Sequence, residues 1–166
     1  MGFTVMFYVI AIVTLGSALM MVISKNIFHS ALLMLVAFLG IAGVFVLLHA
    51  DFLAATQVLI YAGAITIFVV FAIMFTIRGD MKSTNLFSRN LVPGALLSLI
   101  MIVVNAVMVL TTKWPLKAMT APESTAKEIA NLMLTKYVVA FEVTAVLLLV
   151  AMLGAIVIVK EVKKSS

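Results

Sequence analysis

A few polar side chains stand out in an otherwise apolar sequence because of where they fall. Glu142 is the only formally charged residue clearly inside a long hydrophobic run, four residues in from Val138, or about 6 Å along a helix. A carboxylate at a bilayer centre costs roughly 2.5 to 3.5 kcal/mol on insertion scales, and less when shallow, so Glu142 must face protein or water. Two uses follow: exchange of protons with a water path, or a structural ion pair with Lys136 or with a base on another subunit. Gln57 and Tyr61 are four residues apart in a second run and share a helical face, with Gly63 just beyond them. Gly63 lowers the cost of local unwinding, and bends or π-bulges at such weak points often mark function.

The remaining polar residues have simpler readings. Asp51 precedes an apolar run and fits the cap of a helix N-terminus. His29 and His49 are single histidines with no second His, Cys or acid at metal-ligand spacing, and Asn105 fits an interhelical hydrogen bond. There is no Gly-rich phosphate loop, nucleophile elbow, intramembrane carboxylate pair or internal repeat of the transporter kind. Alone, the chain carries no complete active site, which points to a subunit of something larger.

The elements that must hold these groups are long apolar helices. Of 166 residues, 66% are hydrophobic and 10% charged, with a mean hydropathy of +1.34 and no cysteine. This excludes a disordered chain, a disulfide scaffold, a thiolate metal site and a soluble catalytic domain. A hydrocarbon core about 30 Å thick needs roughly 20 apolar residues per helix. Five runs meet that length, at 3–23, 30–48, 52–77, 91–110 and 138–159. The expected fold is an all-α integral membrane protein, a single membrane domain over 1–166. The first run lacks the basic n-region of a cleaved signal peptide and is expected to be retained.

The third run, at 26 residues, would be about 39 Å long as an α-helix, more than the core requires. The excess calls for tilt, bending or a bulge. Small residues predict close helix approach at Gly40 and Gly43, at Ala62, Gly63 and Ala64, and at Ala151, Gly154 and Ala155. Between the fourth and fifth runs, Lys113, Trp114 and Pro115 suit the headgroup zone. Thr125 and Glu128 have capping-box spacing ahead of Ile129, Leu132 and Met133, which predicts a short interfacial helix before the fifth span.

The net charge of +5 reports topology rather than nucleic acid, because the basic residues lie between apolar runs. Seven Lys or Arg fall on one set of sides (Lys25; Arg78, Lys82 and Arg89; Lys160, Lys163 and Lys164) against four in one link on the other. The positive-inside rule then puts the N-terminus outside and the C-terminus in the cytoplasm.

Three stretches of this sequence resemble one family: His29-Ser30-Ala31-Leu32; Asp51-Phe52-Leu53-Ala54 through Gln57-Val58-Leu59-Ile60-Tyr61-Ala62-Gly63-Ala64-Ile65; and Tyr137-Val138-Val139-Ala140-Phe141-Glu142 through Leu147-Leu148-Leu149-Val150 and Gly154-Ala155-Ile156-Val157. They look like subunit J of the proton-translocating NADH:quinone oxidoreductase, respiratory complex I. The likeness runs the whole length and is weakest over 78–93 and 113–122.

The resemblance implies a membrane-arm subunit of the bacterial inner (cytoplasmic) membrane, beside the small subunits near the quinone chamber. It implies no cofactor in this chain, with NADH, FMN, iron–sulfur clusters and quinone handled by other subunits. In the family the third span carries a π-bulge that forms and relaxes, which maps here onto Tyr61, Ala62, Gly63 and Ala64. On that reading Ile65 and Phe68 alternately block and admit water, Tyr61 joins or leaves a proton wire, Gln57 extends it, and Glu142 either shares the path or stabilises the end of its helix. Some members carry an acid at the position of Gln57; an amide does not titrate, so this chain does not imply an obligatory proton carrier there. The competing expectation is a homologous subunit of an ion-translocating hydrogenase, a ferredoxin-linked dehydrogenase or a multisubunit cation/proton antiporter. A stand-alone carrier fits poorly with the missing repeats and the lack of a central charged site.

Overall fold

The computed structural model describes residues 1–76, 91–113 and 124–164. All regular structure among them is helical: α1 (Gly2–Ile23), α2 (Ile27–Leu47), α3 (Asp51–Thr56), a π-helical segment (Gln57–Ile65), α4 (Thr66–Thr76), α5 (Leu91–Thr111), α6 (Thr125–Leu134) and α7 (Val138–Lys164). The segments α3, π and α4 run on without a break as one rod. Five stretches are long and apolar enough to cross a membrane: Gly2–Ile23, Ile27–Leu47, Asp51–Phe75, Val92–Thr111 and Val138–Lys160. They match the five expected spans in number and order, and the short helix ahead of the last one is α6.

Where the ends differ from expectation, local hydrogen bonds explain it. α2 begins at Ile27 rather than Ser30 because Asn26 caps it, its side-chain oxygen accepting from the N–H groups of Phe28 at 3.0 Å and His29 at 3.4 Å. α7 continues past Val159 to Lys164, since a helix needs no apolar residues once clear of the hydrocarbon. The expected third-span end at Ile77 and the Trp114–Pro115 segment lie outside the described residues.

Two capping expectations are corrected. Asp51 is the first helical residue of α3, not its cap; Ala50 holds the cap position, and Asp51 forms no capping bond. Its charge still sits in the first turn, at the positive end of the helix dipole. Thr125 is likewise not the cap of α6; Ser124 is, accepting from the N–H of Lys127 at 3.4 Å. The Thr125 hydroxyl instead accepts from the N–H of Phe52 at 3.3 Å, satisfying an orphan donor at the start of α3. Sequence spacing cannot register such a cap from a distant helix.

α1 and α2 form an antiparallel hairpin, with Gly40 against Thr14 and Gly43 against Ile10. Near the link, the Ser30 hydroxyl donates to the carbonyl of Met21. On its other flank α2 packs against α3, the π segment and α4, so α2 is the middle rod of three. Among the described residues the buried ones are nearly all small: Ser17, Ala31, Ala37, Ala42, Ala54, Ala62 and Thr66, with Gln57 the one larger member. Large apolar side chains point outward, the reverse of a soluble core. Lipid competes for large apolar groups as well as protein does, so close backbone approach supplies the cohesion.

The turn from α2 to α3 is a Schellman motif. The N–H of His49 reaches the carbonyl of Val46 at 3.0 Å, and that of Ala50 reaches Phe45 at 2.9 Å. His49 takes a φ of 55°, a left-handed conformation that disfavours a Cβ. His49→Gly is expected to stabilise the turn by about 1 kcal/mol. Stepwise heating of the detergent-solubilised protein, with native gels at each step, would read this as a higher midpoint for loss of the native band.

α6 touches both α3 and α7, and α7 meets no other described element. α5 contacts none of the described elements. The Gly154 patch expected to pack tightly faces open space, with nothing within 4 Å of where a Cβ would be.

Candidate functional site

The most unusual backbone lies in the third span. Over Gln57–Ile65 the helix is π-wound, and a π-helix pairs each N–H with the carbonyl five residues back rather than four. The buried face of the rod follows this winding: Ala54, Gln57, Ala62 and Thr66 are its buried residues, spaced by three, five and four. The step of five is one residue more than an α-helical face uses, and the π turn absorbs it while keeping Ala62 and Thr66 on the α2 side.

At the end of the segment, the N–H of Thr66 bonds to the carbonyls of Gly63 and Tyr61 and skips Ala62, its α-helical partner. The Thr66 hydroxyl donates to the same Tyr61 carbonyl at 2.7 Å. A Cβ on Gly63 would lie 3.3 Å from the carbonyl oxygen of Val58, again five residues back. A side chain at position 63 would press on this backbone oxygen of the wound segment, which would have to give by a few tenths of an ångström.

Gln57 is 7% exposed whereas Tyr61 is 44% exposed, so the two do not share one environment despite their four-residue spacing. Tyr61 packs edge-to-face on Phe38 of α2, ring centroids 5.6 Å apart. Ala62 is buried and Gly63 half-buried; Ala64, Ile65 and Phe68 lie outward, Phe68 at 74% exposure. Glu142 is exposed on α7, and because α7 meets only α6, it is not brought to Gln57 or Tyr61. Lys136 does not pair with it; the Lys136 ammonium lies 5.6 Å from the ring centroid of Tyr137. Asn105 donates to the carbonyl of Met101 at 2.8 Å, one turn back in its own helix.

The reading of the residues alone missed Thr66 and Phe38. For Thr66 a signal existed, a polar residue continuing the buried stripe after a step of five. The Phe38–Tyr61 contact joins residues far apart in sequence and left no local trace.

The family model described as NADH-ubiquinone/plastoquinone oxidoreductase chain 6 matches residues 17–158. The chain belongs to this family. Within the chain 6 family, it is 38% identical over 158 residues to NAD(P)H-quinone oxidoreductase chain 6 of Synechocystis sp., covering 93% of this chain and 79% of that one. It is 33% identical to F(420)H(2) dehydrogenase subunit J of Methanosarcina mazei, covering 95% and 90%, and 32% identical to NADH-quinone oxidoreductase subunit J of Rhodobacter capsulatus, covering 94% and 81%. As a chain 6 family member with five apolar helices, it is a multi-pass membrane protein.

Proposed function

We propose that this chain is a membrane-arm subunit of a proton-translocating NADH:quinone oxidoreductase and helps couple quinone reduction to ion movement through its third span. The observation that carries the reading is the π-helical stretch Gln57–Ile65 in a chain 6 family member. A π turn accommodates one extra residue, so its conversion to α-helix rotates everything beyond it by about 100°. Such a step turns Ile65 and Phe68 about the rod axis, and two discrete registers make a switch rather than a continuous deformation. With Phe68 and Ile65 turned away, water reaches Tyr61, whose phenol donates and accepts; Gln57 extends the wire by the same two capacities without titrating. Glu142 either joins this path in the assembled complex or stabilises the start of its helix.

The chain itself holds no redox cofactor in this proposal; NADH, FMN, iron–sulfur clusters and quinone belong to other subunits. The N-terminus lies outside and the C-terminus in the cytoplasm of a bacterial inner membrane, with the small subunits near the quinone chamber as neighbours. A second reading, a subunit of a dehydrogenase with another electron donor, is favoured by the 33% identity to the Methanosarcina mazei protein.

Mild-detergent purification through a C-terminal tag separates the two readings, by native gel with NADH activity staining and mass spectrometry of the companions. The expected result is co-migration with a large NADH-oxidising assembly that includes quinone-site and antiporter-like subunits. Recovery with hydrogenase, ferredoxin-docking or other dehydrogenase subunits favours the second reading. Recovery of the chain alone overturns both.

A further inference from the structure

We infer that the Glu142 side of α7 is an interface for a transmembrane segment of a companion subunit, one that sets a Lys, Arg or protonated His against the carboxylate. Glu142 lies about one turn inside the span Val138–Lys160 and is exposed. Among the described residues its carboxylate has no hydrogen bond and no ion pair. A charged side chain within a membrane span is costly, and it is met by a partner or by a water-filled cavity. The nearest cation along the chain, Lys136, is spent on the ring of Tyr137.

The winding of α7 separates this carboxylate from the small residues of the same helix. At about 100° per residue, Glu142 and Ala151 are two and a half turns apart and lie on opposite sides. Ala140, Thr144, Gly154 and Ala155 fall on the Ala151 side. Small residues are what lets α1 and α2 approach closely, with Gly40 against Thr14. A helix seated on the Ala151 side of α7 cannot reach Glu142. The Glu142 side carries Val138, Ala145, Val146 and Leu149, all apolar, so α7 offers no second polar group there to support a water path. Charge complementarity therefore favours a cation brought by a neighbour. α6, the one described element that touches α7, leaves Glu142 exposed.

This inference rests on the proposed place of the chain in a larger assembly, and the unmodified complex separates the two. Recovery of the parent chain without companions overturns that reading and this one together. Where the parent does assemble, Glu142→Lys is expected to lower the assembled fraction on native gels by about tenfold or more, because it opposes two cations and strands the partner's base. Glu142→Asp, which keeps the charge, is expected to retain most of the assembly. Parent-level assembly of Glu142→Lys overturns the interface alone, since a side chain that only reaches interfacial water is replaceable by lysine, whose long stem carries its charge to the surface.

A second measurement leaves Glu142 in place and covers the case in which Glu142→Lys does not insert. Leu149 lies about two turns further along the same side. The photoreactive residue p-benzoylphenylalanine in place of Leu149, irradiated in the purified complex, is expected to couple to a companion subunit. The coupled peptide, sequenced by mass spectrometry, is expected to belong to a transmembrane segment that contains Lys, Arg or His. Coupling to lipid alone, to this chain itself, or to a segment without a cation overturns the inference.

Discussion

Gly63→Val is expected to lower coupled quinone reduction by roughly tenfold or more, while NADH oxidation with an artificial acceptor, which needs only the peripheral arm, stays near the parent rate. A Cβ at position 63 lies 3.3 Å from the Val58 carbonyl oxygen, and that oxygen is backbone, unable to swing aside. Valine adds two branches to an already tight contact and stiffens χ1. Overpacking of this kind costs about 1 to 3 kcal/mol, and each 1.4 kcal/mol is a factor of ten in an equilibrium. The strain falls on the π winding, because the crowded carbonyl is the one five residues back, so the population moves toward α. Gly63→Ala is expected to act in the same direction more weakly. Unchanged quinone activity and proton pumping in an assembled Gly63→Val complex would refute the switch.

Gly40→Val should act on assembly rather than on turnover. A Cβ on Gly40 collides with the hydroxyl and Cβ of Thr14, near the middle of the α1–α2 hairpin. Thr14 is short, and its hydroxyl is engaged by the Ile10 carbonyl at 2.7 Å, so it cannot clear the space by rotating a flexible end. The helices must separate, and the cohesion of small residues falls steeply with distance. The expected cost is about 1 to 3 kcal/mol, with loss of most of the assembled protein on native gels. Gly40→Ala together with Thr14→Ala should recover part of that loss, since removal of the hydroxyl takes away the closest atom. Abundance of Gly40→Val equal to the parent would show that the hairpin tolerates a wider spacing than its contacts suggest.

What the sequence made legible follows from what hydropathy encodes. Apolar length fixed the five spans to within a few residues, because the bilayer demands length and little else. Helix phase is different. The over-long third run and Gly63 marked a weak point, but hydropathy is blind to whether a carbonyl is paired four or five residues ahead, so the extent Gln57–Ile65 could not be read. Thr66 looked like any threonine in an apolar helix until its acceptor was known. The caps failed for another reason: Thr125 sits at capping-box spacing, yet its hydroxyl serves Phe52 in another helix, a choice settled by tertiary contact. For Gly40 and Gly43 the expected close approach occurs against α1, while Gly154 faces open space, and no local sequence feature distinguishes the three.

The arrangement of neighbours also has a bearing on how the chain is built into a bilayer. Synthesis delivers α1, α2 and the third span first, and each of these finds a docking surface on the one before or after it. Insertion of this portion can run to completion on the nascent chain. The helices delivered later differ: α5 enters the lipid with no docked neighbour among the described residues, and α7 is moored only through α6. A subunit released from the ribosome would therefore have a finished half and a waiting half. The waiting half leaves α5 wholly, and α7 along most of its length, to the surrounding lipid or to companion chains.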